Sequence, residues 1–275
     1  KVNYYNMKSL SGYETSTCEI QLMPNSGWAS KGSTVTYQDY PNVTDPNDKY
    51  SYVDRYKYGV KFKFIVSGMM GKFNVNNLVS SDGKINEYSL NQFKRLLSLL
   101  NINNNLASEL IDWIDPDQYP TFPGGAEDDE YTKLIPPYRT SNQPMISISE
   151  ILSLKTITKT DYRVLKKFIT ALPSPTKINV NTADPLILES LGDGITKNDT
   201  QRLIKERDPS GFNDAANSFR SLLLPENLSK ISGTTNYFQL KLIIRIDTVS
   251  ITMFSVIKRD ENGNAAILRR SFGVI

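Results

Sequence analysis

The sequence contains no histidine and only one cysteine, Cys18, among its 275 residues. The absence of histidine removes the commonest general base, the Ser-His and Cys-His nucleophile pairs, and a leading zinc ligand. One cysteine cannot form an intramolecular disulfide, so the cysteine count does not indicate a redox compartment. We interpret Cys18 as a small apolar residue near a chain end rather than as a reactive thiol.

The sequence also lacks a long apolar run and a strong net charge. No segment approaches the roughly 18 to 20 apolar residues of a membrane span. The chain opens on Lys1 rather than Met, and we interpret it as a fragment whose targeting or anchoring segment is absent. The 32 basic and 29 acidic residues leave a net charge of +3, which gives no compositional case for a nucleic-acid binder. Hydrophobic residues make up 39% and charged residues 22%, as in folded soluble proteins.

The most distinctive feature is an acidic loop between Asp112 and Tyr131. Three prolines stiffen this loop, and the pair Gly124 and Gly125 lets it bend. Folding it back on itself would crowd like charges, which is costly unless a cation neutralises them. Calcium binds about six to eight oxygens from carboxylates, carbonyls and water. The loop therefore predicts a calcium site whose candidate ligands are Asp115, Asp117, Glu127, Asp128 and Asp129.

Other interpretations of this loop remain open. It is not an EF-hand, because counting from Asp115 puts Pro120 in the glycine position and Ala126 in the twelfth. Many acidic loops are simply solvated. Asp115 and Asp117 have the residue types of an acid-base pair, but no sugar cleft with aromatic walls accompanies them. The neighbouring Trp113 lies in an apolar helical pattern and is interpreted as core. We therefore predict that the protein is not an enzyme.

The order of the predicted elements is strands, then helices, then strands. Residues 56–66 alternate apolar and basic residues, as expected of a half-buried antiparallel strand, and residues 72–79 predict a second, short strand. Helical periodicity begins near Leu90, with Ser89 or Asn91 as its cap. Beyond Tyr237 the period returns to two, with a hairpin turn at residues 260–264. The order predicts an α+β fold in which an α-helical domain is inserted into a sheet-bearing domain.

An internal repeat lies in the helical part. Residues 157–168 (ITKTDYRVLKKF) align with residues 195–206 (ITKNDTQRLIKE). Each copy places a threonine where it can cap a helix and an aspartate three positions later in the electropositive first turn. A short apolar helix is predicted upstream of each cap. The segment therefore predicts two successive helix-hairpin-helix (SAM-like) units.

The second hairpin, residues 191–195 (LGDGI), raises a nucleic-acid alternative. Such hairpins can bring backbone amides and a helix N-terminus to a phosphate group. Here, however, Asp193 and Asp199 place negative charge where the phosphate would lie. A helix-hairpin-helix nucleic-acid-binding protein is therefore kept as the alternative function, and no nucleic-acid partner is predicted.

Taken together, four segments resemble the minor pseudopilin K family of the type II secretion system, also called the general secretion pathway protein K family. They occur in the family's order and spacing, and with the closing strands the resemblance spans roughly residues 71–273. The segments are GKFNVNNL (71–78), LIDWID with GGAEDDEY (110–115 and 124–131), PPYRTSNQPMISISEI (136–151) and ALPSPTKINVNTA (171–183).

The resemblance implies a pilin-like α/β domain with an antiparallel sheet, formed by residues 1–86 and 232–275, and an inserted α-helical domain at 87–231. It implies a non-enzymatic subunit that caps the tip of a pseudopilus with the minor pseudopilins I and J and contacts the major pseudopilin indirectly. Family members bind structural calcium in the helical domain, and the five acidic residues match the family's acidic motif. The resemblance also implies a periplasmic body on an N-terminal inner-membrane helix in a Gram-negative bacterium. Most of the pilin spine helix is absent here, and residues 1–55 match no family motif.

Overall fold

The computed structural model describes residues 16–23, 26–30, 33–34, 60–173, 175–207, 211–246 and 248–273. These residues form two compact units: a helical unit within Met69–Thr235, and a sheet unit within Glu14–Gly68 and Asn236–Ile275. The predicted helical domain at 87–231 lies inside the first unit. That unit begins earlier because Phe73 stacks on Phe93 with 5.0 Å between ring centroids. Nothing is described for most of the segment before residue 60, including the predicted strand residues 56–59.

The sheet unit is a seven-stranded sheet with strand order β11-β10-β9-β4-β1-β2-β3. All of its neighbouring strands pair antiparallel. The expected closing hairpin at residues 260–264 is present, since Asn264 N–H donates to Asp260 Oδ1 at 2.7 Å. The strands are β1 Ser16–Met23, β2 Ser26–Ser30, β3 Ser33–Thr34, β4 Val60–Gly68, β9 Tyr237–Ile246, β10 Val249–Arg259 and β11 Ala265–Phe272.

One face of this sheet is apolar along its central strands. The pairing register places Phe64 opposite Leu242, Leu242 opposite Met253, and Met253 opposite Phe272. Because side chains alternate between faces along a strand, these residues lie on one face. The other face carries Lys63 and Lys241 among its residues. The alternation predicted for the strand at 56–66 therefore holds over its described part.

The helical unit consists of short helices. The second of them ends at Asp115, because Pro116 disfavours a helical conformation there. The predicted caps Ser89 and Asn91 are wrong, since the Asn86 side chain accepts the Ser89 N–H and caps the first helix. The helices are α1 Glu87–Leu99, α2 Asn105–Ile114, α3 Asp128–Tyr131, α4 Lys159–Leu165, α5 Pro185–Ser190, α6 Lys197–Arg207 and α7 Ala215–Phe219, with 3-10 turns at Val75–Leu78, Ile148–Ser153 and Pro225–Lys230.

The helical unit also contains strands, which the prediction of an all-α domain did not include. Parallel pairs form between β5 Phe73–Asn74 and β6 Ile169–Thr170, and between β7 Ile178–Asn179 and β8 Ile231–Ser232. The predicted strand at 72–79 is correspondingly shorter, because the chain turns into 3-10 helix at Val75. In the described part of the chain, no helix is long and apolar enough to cross a membrane.

Two buried asparagines anchor distant loops to these strand pairs. The sequence Asn-Val-Asn follows the first residue of β5 and of β7. Asn76 Oδ1 accepts the N–H of Met145 at 2.8 Å, and its Nδ2 donates to the Met145 and Leu172 carbonyls, both at 2.9 Å. Asn181 does the same with Phe212, accepting its N–H at 2.7 Å. Each side chain thus satisfies backbone groups that are buried far along the chain.

Replacing Asn76 by alanine is expected to lower the free energy of unfolding by about 2 kcal/mol or more, because it leaves buried backbone groups unpaired. Chemical denaturation of the variant and the parent would measure the loss. Asn91→Ala is the matched control, since Asn91 is exposed on α1. Equal midpoints for the two variants would contradict the anchoring role.

Candidate metal centre

The end of α2 and the returning loop bring three carboxylates together. Asp115, Asp117 and Glu127 each offer an oxygen, and these oxygens all lie within 4.8 Å of one another. Asp115 lies at the end of α2 and Glu127 directly precedes α3. Three of the five predicted ligands therefore converge, as expected if the loop folds back on itself.

Two of these carboxylates are buried with unsatisfied oxygens. Asp115 is 4% exposed and Glu127 is 2% exposed, and neither Asp115 Oδ1 nor Glu127 Oε1 has a hydrogen-bond partner. Burial, and then the charges of Asp117 and Asp112, raise the pKa of Asp115 to about 7. Burial, and then the charges of Asp112 and Asp115, raise the pKa of Glu127 to about 8. Such raised values show that the folded chain disfavours the simultaneous charging of these groups.

Asp112 is a fourth carboxylate at this site, and the sequence interpretation omitted it. It is fully buried on α2, where its Oδ1 accepts the N–H of Thr121 at 2.9 Å and its Oδ2 has no partner. The i, i+3 spacing of Asp112 and Asp115 in the sequence DWID was the available signal, because it places both on one helix face. A Cβ added to Gly125 would lie 2.1 Å from Asp112 Oδ2, so glycine is required at that position.

Asn142 contacts the backbone of the exposed residue Asp117. Asp117 Oδ1 accepts the N–H of Tyr119 at 2.8 Å, which fixes the turn after α2. Asn142 Nδ2 donates to the Asp117 carbonyl at 3.4 Å, while its Oδ1 is buried without a partner. Asn142 is therefore a candidate neutral ligand that the sequence interpretation did not single out.

The other two predicted ligands make different contacts. Asp128 Oδ1 accepts the N–H and the hydroxyl of Thr140, both at 2.9 Å, and Asp128 Oδ2 lies 3.5 Å from Arg139. Asp129 is exposed, and its carboxylate lies 4.0 Å from Lys133. Neither joins the cluster of converging oxygens. Asp128 instead connects the start of α3 to Thr140, and Asp129 forms an ion pair at the surface.

The site rests on packed aromatic rings. Trp113 is 6% exposed, as its interpretation as core predicts, and it packs edge-on against Tyr131 with 5.6 Å between centroids. Tyr138 packs against Tyr131 at 5.3 Å. Glu130 forms ion pairs with Lys133 and Lys155 at the far end of α3. The loop is thus fixed at both ends, and its charged oxygens are held close together.

The chemistry of the donor set is all-oxygen. Carboxylates and an amide oxygen suit hard cations such as calcium, whereas zinc sites are usually built with cysteine or histidine. Asp112, Asp115 and Glu127 each have a buried carboxylate oxygen without a hydrogen-bond partner, and this observation fits a bound cation. Asp112, Asp115, Asp117 and Glu127 would hold it.

The second hairpin does not favour phosphate binding. Asp199 Oδ2 accepts both the N–H of Thr196 at 3.0 Å and its hydroxyl, and Asp199 N–H donates to Thr196 Oγ1 at 3.2 Å. These bonds confirm the predicted capping of α6, as does the equivalent pair, Thr158 and Asp161, at α4. A carboxylate therefore already occupies the helix N-terminus, where a phosphate would need the amides and a positive field.

The sequence matches a known protein family over more than half of its length. Two family models described as "Type II secretion system (T2SS), protein K" match residues 71–174 and 178–238, more than half of the chain together. The type II secretion system protein K of Pseudomonas aeruginosa is 30% identical over 223 residues, covering 78% of this chain and 66% of the relative. The Aeromonas hydrophila protein of the same name is 27% identical over 271 residues, covering 89% and 81%.

A solved structure matches as well. It is the crystal structure of the GspK-GspI-GspJ complex from the enterotoxigenic Escherichia coli type 2 secretion system. The similarity has a TM-score of 0.68 at 25% identity and covers 78% of this chain and 81% of that chain. These matches place the protein in the class of secretion-system components. The chain belongs to the type II secretion system protein K family.

Proposed function

We propose that this protein is a minor pseudopilin that caps the tip of the pseudopilus together with minor pseudopilins I and J. The observation that carries the proposal is the structural similarity to a chain of the GspK-GspI-GspJ complex. The chain spans about two thirds of the Pseudomonas relative's length, so assembly with partners is a proposal for the whole protein. A large helical unit suits a terminal subunit, because its bulk would hinder stacking of further subunits above it.

We further propose that the acidic loop binds structural calcium. The three converging carboxylates and the unpartnered buried oxygens of Asp112, Asp115 and Glu127 support this assignment. Calcium would neutralise charges that the folded chain otherwise forces together. The bound ion would then connect the end of α2 to the start of α3, and the site would have no catalytic role.

The proposed setting is the periplasm, with anchoring through an N-terminal inner-membrane helix that lies outside this chain. The apolar face of the sheet supports a pilin-like arrangement, because such a face requires a covering element. We interpret the pairing of α5 with α6, and of the 3-10 turn Ile148–Ser153 with α4, as the two helix-hairpin-helix units. Their role here is structural.

Mixing this domain with the periplasmic parts of minor pseudopilins I and J from the same organism is expected to give a stable 1:1:1 complex. Size-exclusion chromatography with light scattering would measure its mass. The major pseudopilin's periplasmic part serves as the control, since the proposal predicts at most weak binding to it. Separate elution of all components at micromolar concentrations would contradict the tip assignment and leave the calcium proposal to its own test.

A further inference from the structure

The outer edge of β11 is an unpaired sheet edge in the described part of the chain. β11 forms one end of the seven-stranded sheet, and in the described residues no strand pairs with its outer side. Each residue of the strand is exposed or only partly buried. An edge strand of this kind presents unpaired N–H and C=O groups, which are a template for pairing with another extended segment.

The register identifies which amides face outward. Gly273 N–H donates to the Thr252 carbonyl at 3.0 Å. Because inward and outward groups alternate along an antiparallel strand, the N–H groups of Phe272 and Arg270 point away from β10. A bulge leaves Leu268 without a partner across the ladder. The regular part of the edge is therefore Arg269–Phe272.

The side chains on this edge combine an apolar corner with positive charge. Phe272 is 69% exposed, and on the same face Val249 is 58% and Ile251 is 45% exposed. Arg270 is exposed on that face too, opposite Ser255. An added strand would bury part of this corner and would gain most from an acidic residue facing Arg270, because opposite charges across a ladder stabilise it.

We propose that β11 is a docking edge for an extended segment of a partner protein that carries an apolar and an acidic residue two positions apart, so that both lie on the face of Phe272 and Arg270. The segment adds to the sheet as an eighth strand, with its backbone bonded to the outward groups of Arg270 and Phe272. A second copy of this chain fits less well, because antiparallel pairing centred on the outward-facing Arg270 sets two arginines opposite each other. This surface is independent of the tip assignment and of the calcium site.

The test uses two blocked peptides of eight residues, one repeating Val-Thr-Glu-Thr and one repeating Val-Thr-Lys-Thr, so that valine and the charged residue alternate along one face. Amide hydrogen exchange of the protein is measured with each. The glutamate peptide is expected to protect the amides of Arg270 and Phe272 while leaving the already bonded Ser271 amide unchanged. The lysine peptide is expected to bind about fivefold more weakly or worse.

Charge reversal sharpens the test. Arg270→Glu is expected to invert the preference, so that the lysine peptide binds about fivefold better than the glutamate peptide. Arg220→Glu carries the same charge change on an exposed residue of the helical unit and should leave the preference of the parent intact. The melting temperature of Arg270→Glu checks that the sheet is intact.

Two outcomes would overturn the proposal. One is the absence of protection at Arg270 and Phe272, or protection that is indifferent to peptide charge. The other is protection that appears without peptide as protein concentration rises, which would assign the edge to a second copy of this chain.

Discussion

Saturating calcium is expected to raise the melting temperature of the metal-stripped protein by about 10 °C. An ion that binds only the folded state stabilises it by mass action, by about 4 kcal/mol at a thousandfold excess over its Kd. For a chain of this size, 1 kcal/mol corresponds to roughly 2 to 4 °C. Differential scanning calorimetry with and without calcium would measure the shift, and added chelator should reverse it.

Matched variants locate the effect. Asp115→Asn removes the charge of a buried carboxylate in the cluster and is expected to abolish most of the calcium shift. Asp112→Asn is expected to reduce it as well, which tests the residue that the sequence interpretation omitted. Asp129→Asn is the control, because Asp129 is exposed and lies outside the converging oxygens. A calcium-dependent rise in melting temperature that persists in Asp115→Asn, or that is absent from the parent, would contradict the metal assignment.

Local sequence signals predicted the caps of α4 and α6, because these depend on neighbouring residues, but placed the cap of α1 at Ser89 or Asn91 instead of Asn86. Pro116 ends α2 by the same kind of local effect. The short strand pairs were harder to predict, since β5 pairs with residues almost a hundred positions away. No local pattern encodes such a contact. The buried bonds of Asn76 to the backbone of Met145 escaped notice for the same reason.

At the candidate site, composition predicted the chemistry and only part of the ligand set. Five acidic residues were treated as equivalent because a loop has no sequence periodicity to distinguish them. The folded chain separates them: Glu127 turns into the cluster, whereas its neighbour Asp128 lies outside it and faces Arg139. Asp112 was overlooked because a residue inside an apolar helix is read as part of that helix. Its position three residues before Asp115 becomes informative only when the loop is known to return to α2.

Without metal, the protein is expected to become less stable as the pH rises from about 5 to about 8. The pKa of Asp115 is about 7 and that of Glu127 about 8 in the folded chain, above the ordinary values of about 4 for the unfolded chain. In this window the folded state binds more protons than the unfolded state. The stabilisation is complete below the unfolded pKa values and is lost as the pH rises through the folded ones. The loss is on the order of a few kcal/mol, because burial and then the neighbouring charges disfavour the ionised form of both groups.

Carboxyl groups whose pKa is lowered in the folded chain do not change their contribution to stability between about pH 5 and about pH 8. Ion pairs with Lys155 and Lys133 lower the pKa of Glu130 to about 2, so its contribution changes only at more acidic pH.

Thermal melts of metal-free protein at several pH values would measure the slope. Asp115→Asn cannot ionise at that position and is expected to melt higher than the parent at pH 8 without metal, while losing the calcium response. Asp129→Asn should keep the parent slope. A flat profile in metal-free parent protein would show that the folded chain does not disfavour ionisation of these carboxylates, and the calcium shift would then need another origin.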